Sequence, residues 1–166
     1  LVIARSQAGE TRAFAPPRNI HEGGILRRSL VPAGEPVGRQ AAQAAATAAR
    51  IAAELGHVGV LTVEFFATAD GPLVNEIAPR VHNSGHWTIE GALTSQFEQH
   101  VRAICGLPLG DPGLVAGGAE MENLIGPDVE RWPELVAEPG AAVHLYNKGE
   151  ARPGSKMGHV TRVRRG

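Results

Sequence analysis

The chain has 166 residues, 43% of them apolar and 20% charged, which suits one compact domain, or a domain with a small appendage, and excludes a disordered polar segment. With 16 Lys and Arg against 17 Asp and Glu the formal net charge is −1, so no basic field marks nucleic acid or an anionic membrane as partner; the cluster Arg162, Arg164, Arg165 is too short to make one. The single cysteine, Cys105, excludes a disulfide framework and a cysteine zinc site and fits a reducing cytoplasm, and there is no run of about 18 apolar residues to span a membrane.

Leu1 to Arg5 and Thr11 to Ala15 have the composition of short strands, separated by the turn-rich Gln7-Ala8-Gly9-Glu10. Leu1 is not an initiator Met and no basic flank precedes a longer apolar run, so this opening reads as the interior of a larger domain instead of a signal peptide. Asn19 to Gly24 has loop composition, and Ile25 to Val31 that of a strand. The spacing predicts a helix over Pro36 to Leu55, with Pro36 as its first residue, an Ala-rich body packed through Ile51 and Leu55, and Gly56 just past its end. Val58 to Phe66 and Leu73 to Ile77 form a strand pair around Ala69-Asp70-Gly71. A second helix runs from Gln96 to Ile104, with Ser95 and Glu98 in a capping-box pattern and Gly106 and Pro108 closing it. Beyond Pro108 the composition shifts to Gly, Pro and short apolar runs, Ala119 to Ile125, Ala142 to Tyr146 and His159 to Val163. These divide the chain into a main part, residues 1–107, and a small β-rich piece, residues 108–166. The class is α+β, an antiparallel sheet with helices on one side.

The chemistry concentrates on the strand pair. With a three-residue turn, Ala69-Asp70-Gly71, Thr68 opposes Pro72 and Glu64 opposes Glu76. Opposed residues share a face with β-carbons about 4.5–5.5 Å apart, where like charges destabilise the sheet unless a cation lies between them. Hard carboxylate oxygens select Mg2+, which usually bridges to phosphates. A two-residue turn would shift the pairing by one and send the two carboxylates to opposite faces. Directly after the second strand comes Pro79-Arg80-Val81-His82-Asn83-Ser84-Gly85-His86-Trp87. Arg80 offers a charged fork for carboxylate, carbonate or phosphate oxygens. His82 and Asn83 add orientable donors, and Gly85 allows close approach of backbone to a ligand. His82 and His86 by themselves are weak evidence for zinc. A further polar run, Tyr146 to His159, carries Lys148, Arg152 and Lys156 among glycines, either closing on an anion or forming a solvated cationic loop.

The run Glu64 to Phe66, then Asn75-Glu76-Ile77-Ala78-Pro79-Arg80-Val81-His82-Asn83-Ser84-Gly85-His86-Trp87-Thr88-Ile89, resembles the N5-carboxyaminoimidazole ribonucleotide synthetase family of ATP-grasp enzymes. Three further stretches are similar to it in the same order: Asn19-Ile20-His21 with Gly24 to Arg27, Thr94 to His100, and Ala151 to Gly154 with Lys156 to His159. The resemblance implies the C-terminal half of an ATP-grasp domain plus a small β-rich C-terminal subdomain. It also implies an N-terminal Rossmann-like domain and a lid outside these residues, a homodimer for the full-length enzyme, and little turnover from the fragment alone. The implied reaction phosphorylates bicarbonate with ATP to carboxyphosphate, which carboxylates 5-aminoimidazole ribonucleotide, releasing ADP and phosphate. Glu64 and Glu76 would then hold Mg2+ on the ATP phosphates, with His21, Asn75 and Glu76 near the nucleotide. Arg80 and His82 would be catalytic, Asn83 would help orient the aminoimidazole, and Lys148, Arg152 and Lys156 would approach the ribonucleotide. Two positions depart from the pattern: Ala78 where many ATP-grasp enzymes carry Asn, and Ser155 where the family has Arg. The competing readings are a formate-dependent phosphoribosylglycinamide formyltransferase-like enzyme and a non-catalytic ATP-grasp-derived scaffold.

Overall fold

The computed structural model describes residues 1–164; Arg165, from the terminal basic cluster, lies outside the described residues. Among the described residues, nine strands form two antiparallel sheets. The first holds β1 (Val2–Arg5), β2 (Thr11–Ala13), β5 (Gly59–Thr68) and β6 (Gly71–Ala78) in the order β2-β1-β5-β6. The second holds β3 (Arg18–Glu22), β4 (Ile25–Val31), β7 (Gly118–Ile125), β8 (Ala141–Leu145) and β9 (Lys156–Arg164) in the order β3-β4-β7-β9-β8. The composition shift at Pro108 is therefore not a sheet boundary, because β7 pairs with β4. Asn19 to Glu22, of loop composition, belongs to a strand: β3 pairs along β4, and only Gly23 and Gly24 make the turn, both with positive φ.

Helix α1 (Val37–Glu54) starts one residue later than expected, with Pro36 at the N-cap. It ends in a Schellman motif: Gly56 N–H donates to the Ala53 carbonyl and His57 N–H to that of Ala52, with Gly56 at φ +56°. Its contact face includes Ile51, partly buried, but not Leu55. Ala44, Ala48 and Ala52, one turn apart, lie buried on Leu1, Ile3, Leu61 and Val63, while Leu55 is 63% exposed. Small side chains at that spacing let the helix approach the sheet closely.

Alternation along the strands sends Val2, Ala4 and Val60 to the opposite face, where Ala103 of α3 (Gln96–Ile104) and the fully buried Trp87 cover them. Where the pattern suggests helices on one side, α1 and α3 thus take opposite faces. The second sheet joins the same core through Leu26, Val31, Ala119 and Met121, with Phe14 edge-on to Trp87. Short helices α2 (Thr88–Gly91) and α4 (Trp132–Ala137) complete the fold. Ser95 caps α3 by accepting from Glu98 N–H at 3.2 Å; the Glu98 carboxylate pairs with Arg102 instead of returning to close the box.

Candidate active site

The β5–β6 hairpin reaches the expected pairing by a different route. Thr68 pairs with Gly71, so the turn has two residues, Ala69 and Asp70, not three. Phe65 pairs with Val74, and a β-bulge at Asn75 then absorbs one residue, so that Glu64 faces Glu76. The bulge cancels the shift that the shorter turn would impose.

Two cavities meet at this carboxylate pair. The larger, about 590 Å³, lies between the hairpin, α1 and β3, with Leu1, His21, Gln40, Phe66 and Asn75 in its walls. The smaller, about 410 Å³, is lined by His21, His82, Lys148, Gly154 and Lys156. Glu64 and Glu76 belong to both linings. Among the described residues neither carboxylate has a Lys or Arg nitrogen within ion-pair distance; the nearest basic group is His82 Nδ1, 3.8 Å from Glu64 Oε1. Two adjoining carboxylates without a cationic partner fit a hard divalent ion such as Mg2+. The buried Ala78 adds no further ligand.

His82 is held in place from several sides. Its backbone N–H donates to Gln96 Oε1 at 3.0 Å, its carbonyl accepts from Gln96 Nε2 at 2.8 Å, and its Nδ1 lies 2.9 Å from Ser84 Oγ. Burial holds the ring below the ordinary 6.5, against the pull of Glu64 and with help from Arg80 and Lys156. Burial likewise lowers the Lys156 ammonium from its usual range, against Glu64 and aided by Lys148 and Arg80. Lys148 sits over the Tyr146 ring at 5.5 Å.

The expected residues do not all converge. His21, Asn75, Glu64, Glu76, His82, Lys148 and Lys156 line one or both cavities. Arg80 and Arg152 line neither; Arg80 is exposed and its Nη1 donates to the neighbouring Val81 carbonyl at 3.0 Å. Asn83 is engaged by protein: its amide and that of Asn123 exchange hydrogen bonds of 2.8 and 2.7 Å, and Asn123 also donates to the Leu26 carbonyl. Gly85 does not face a ligand. A β-carbon there would lie 2.5 Å from Gln96 Oε1 and 2.9 Å from Val2 Cγ2, so the glycine permits close packing inside the core. Gln96 and Asn123 carry no sequence signal of their own, because their partners are up to 97 residues away.

Comparison with known proteins agrees with this architecture. The ATP-grasp domain model matches residues 1–97, and the phosphoribosylaminoimidazole carboxylase C-terminal domain model matches residues 119–165. The N5-carboxyaminoimidazole ribonucleotide synthase of Brucella melitensis is 50% identical over 99% of this chain. The crystal structure of the Thermus thermophilus synthetase superposes with a TM-score of 0.90 at 47% identity over 99% of the chain. The Aspergillus clavatus synthase, solved with ADP and 5-aminoimidazole ribonucleotide, gives 0.91 at 32% identity over 98% of it. The chain spans 45% of the length of each of these three. With its model matched over more than half of the residues and its fold reproduced, the chain belongs to the ATP-grasp family.

Proposed function

We propose that the chain supplies the metal-binding hairpin and the ribonucleotide side of an N5-carboxyaminoimidazole ribonucleotide synthase, a cytoplasmic carbon–nitrogen ligase of purine biosynthesis. The observation that carries this reading is the placement of Glu64 and Glu76 in the partition between two cavities. In this reading the larger cavity takes ATP, with His21 and Asn75 beside it, and the smaller takes 5-aminoimidazole ribonucleotide. Mg2+ held by Glu64 and Glu76 would neutralise charge on the transferring phosphoryl group.

Bicarbonate oxygen takes the γ-phosphoryl group, leaving ADP and carboxyphosphate. The exocyclic amine then attacks the carboxyphosphate carbon, phosphate departs and the amine loses a proton. His82, whose ring burial holds below its ordinary range and which lies 3.8 Å from Glu64, would take that proton. Lys148 and Lys156 offer charge to the ribonucleotide phosphate, with Lys156 taking the place that Ser155 leaves without a cation. Arg80 acts through its field, which reaches His82 and Lys156, instead of by contact, and Arg152 approaches the ribonucleotide only when it is bound. The assembled enzyme is a homodimer in this reading, and these 166 residues alone release little ADP because a lid must exclude water. Among the described residues no helix is long and apolar enough to cross a membrane.

The test is a chimera in which these residues replace the matching segment of the Brucella melitensis synthase. ADP release should require both bicarbonate and 5-aminoimidazole ribonucleotide and should vanish with Glu76→Gln. Release driven by formate and glycinamide ribonucleotide would move the chain to the formyltransferase reading. A folded chimera silent with every substrate would leave a non-catalytic scaffold.

A further inference from the structure

Outside the linings of the two cavities, β8, β9 and α2 bring together a second set of metal-ligating side chains. His144 and His159 are cross-strand partners, and their rings stack with centroids 4.5 Å apart and planes 10° apart. Glu90, from α2, reaches the same place, with Oε1 2.6 Å from His144 Nε2. One donor atom from each of the three residues lies within 4.8 Å of the other two.

The hydrogen bonding of this cluster is incomplete. His159 is 2% exposed, yet among the described residues its Nε2 has no partner, and Glu90 Oε2 is also buried and unpartnered. Native interiors leave few such atoms unsatisfied, and two at one spot call for a missing ligand. The other ring nitrogen of His159 is engaged, with Nδ1 2.7 Å from the Tyr146 hydroxyl. A partner on one imidazole nitrogen that fixes the ring and leaves the other free is the usual outer-sphere arrangement of a histidine metal ligand.

We propose that Glu90, His144 and His159 form a zinc-class metal site, chemically distinct from the carboxylate pair at Glu64 and Glu76. Two imidazoles and one carboxylate suit Zn2+ and exclude Mg2+, which prefers an all-oxygen shell. The site does not depend on the proposed reaction.

The test uses the 166-residue chain, stripped with a chelator and titrated with Zn2+ alone and with Co2+ alone. One equivalent of Co2+ should give the strong visible absorption of a low-coordinate, histidine-ligated ion, and Zn2+ should displace it. His159→Gln and Glu90→Gln should remove binding, and Tyr146→Phe should weaken it about 10-fold, the scale of outer-sphere partners. Glu64→Gln should leave it unchanged. Absence of stoichiometric cobalt absorption in the unaltered chain overturns the proposal, whether or not a variant folds. So does Zn2+ binding that survives in folded His159→Gln.

Discussion

Glu64 and Glu76 face each other across a ladder in which Asn75 bulges out between Glu76 and the two-residue turn. Removing Asn75 would straighten β6 without changing which residue opposes Glu64. Deletion of Asn75 should therefore keep divalent-ion affinity, followed by EPR with Mn2+ in place of Mg2+, within about threefold, under 1 kcal/mol. Glu76→Gln should weaken it by about 10-fold or more, equivalent to about 1.4 kcal/mol. Equal losses in the two variants would mean that the bulge residue, not the pair, sets the affinity.

Gln96 holds the segment that carries His82. Replacing it with Leu leaves the His82 N–H and carbonyl without their partners inside the core. Each such group costs about 1–3 kcal/mol, so Gln96→Leu should lower unfolding free energy by a few kcal/mol in urea titration. Gln96→Glu keeps the acceptor for His82 N–H and loses the donor to its carbonyl, and should fall between wild type and Leu.

Acid should unfold the chain in a window set by histidine. Burial pushes His86 down to about 4 and His159 to about 3, and also lowers His82. In the unfolded chain these rings take protons near 6.5, so the unfolded state binds more protons as pH falls below that value and stability drops. Above about pH 7 the contribution is flat. Glu120 and Glu138, held low by Arg164 and Arg162 respectively, add their own loss only near and below 4.5. Melting temperature measured in chelator should therefore fall between pH 6.5 and 4.5, and His86→Gln should reduce that slope. An unchanged slope would show that His86 titrates normally in the fold.

The contact between α1 and the first sheet is tight at Ala48, which is fully buried. Ala48→Leu should overpack it and cost about 1–3 kcal/mol by chemical denaturation. Leu55→Ala, at an exposed position, should change stability by less than about 0.5 kcal/mol.

Local signals located β4 and the approximate extent of α3, because their apolar pattern and the Ser95 cap are written in neighbouring positions. The strand β3 is different. Its backbone is recruited by β4, and the glycines beside it make the whole segment resemble a loop. The Glu64–Glu76 pairing follows from a residue count that is right in total, although turn and bulge divide that count differently. The face of α1 is hidden in an almost uniform run of alanines, where only the sheet determines which ones are covered. Asn83 has every appearance of a ligand-facing group until the distant Asn123 is placed beside it.

The amide exchange between Asn83 and Asn123 has a mechanical consequence. It clasps the segment that follows the first sheet onto the middle of the second, and a third bond to Leu26 locks the clasp. Any rotation that parts the two sheets at that point must first break both bonds between Asn83 and Asn123.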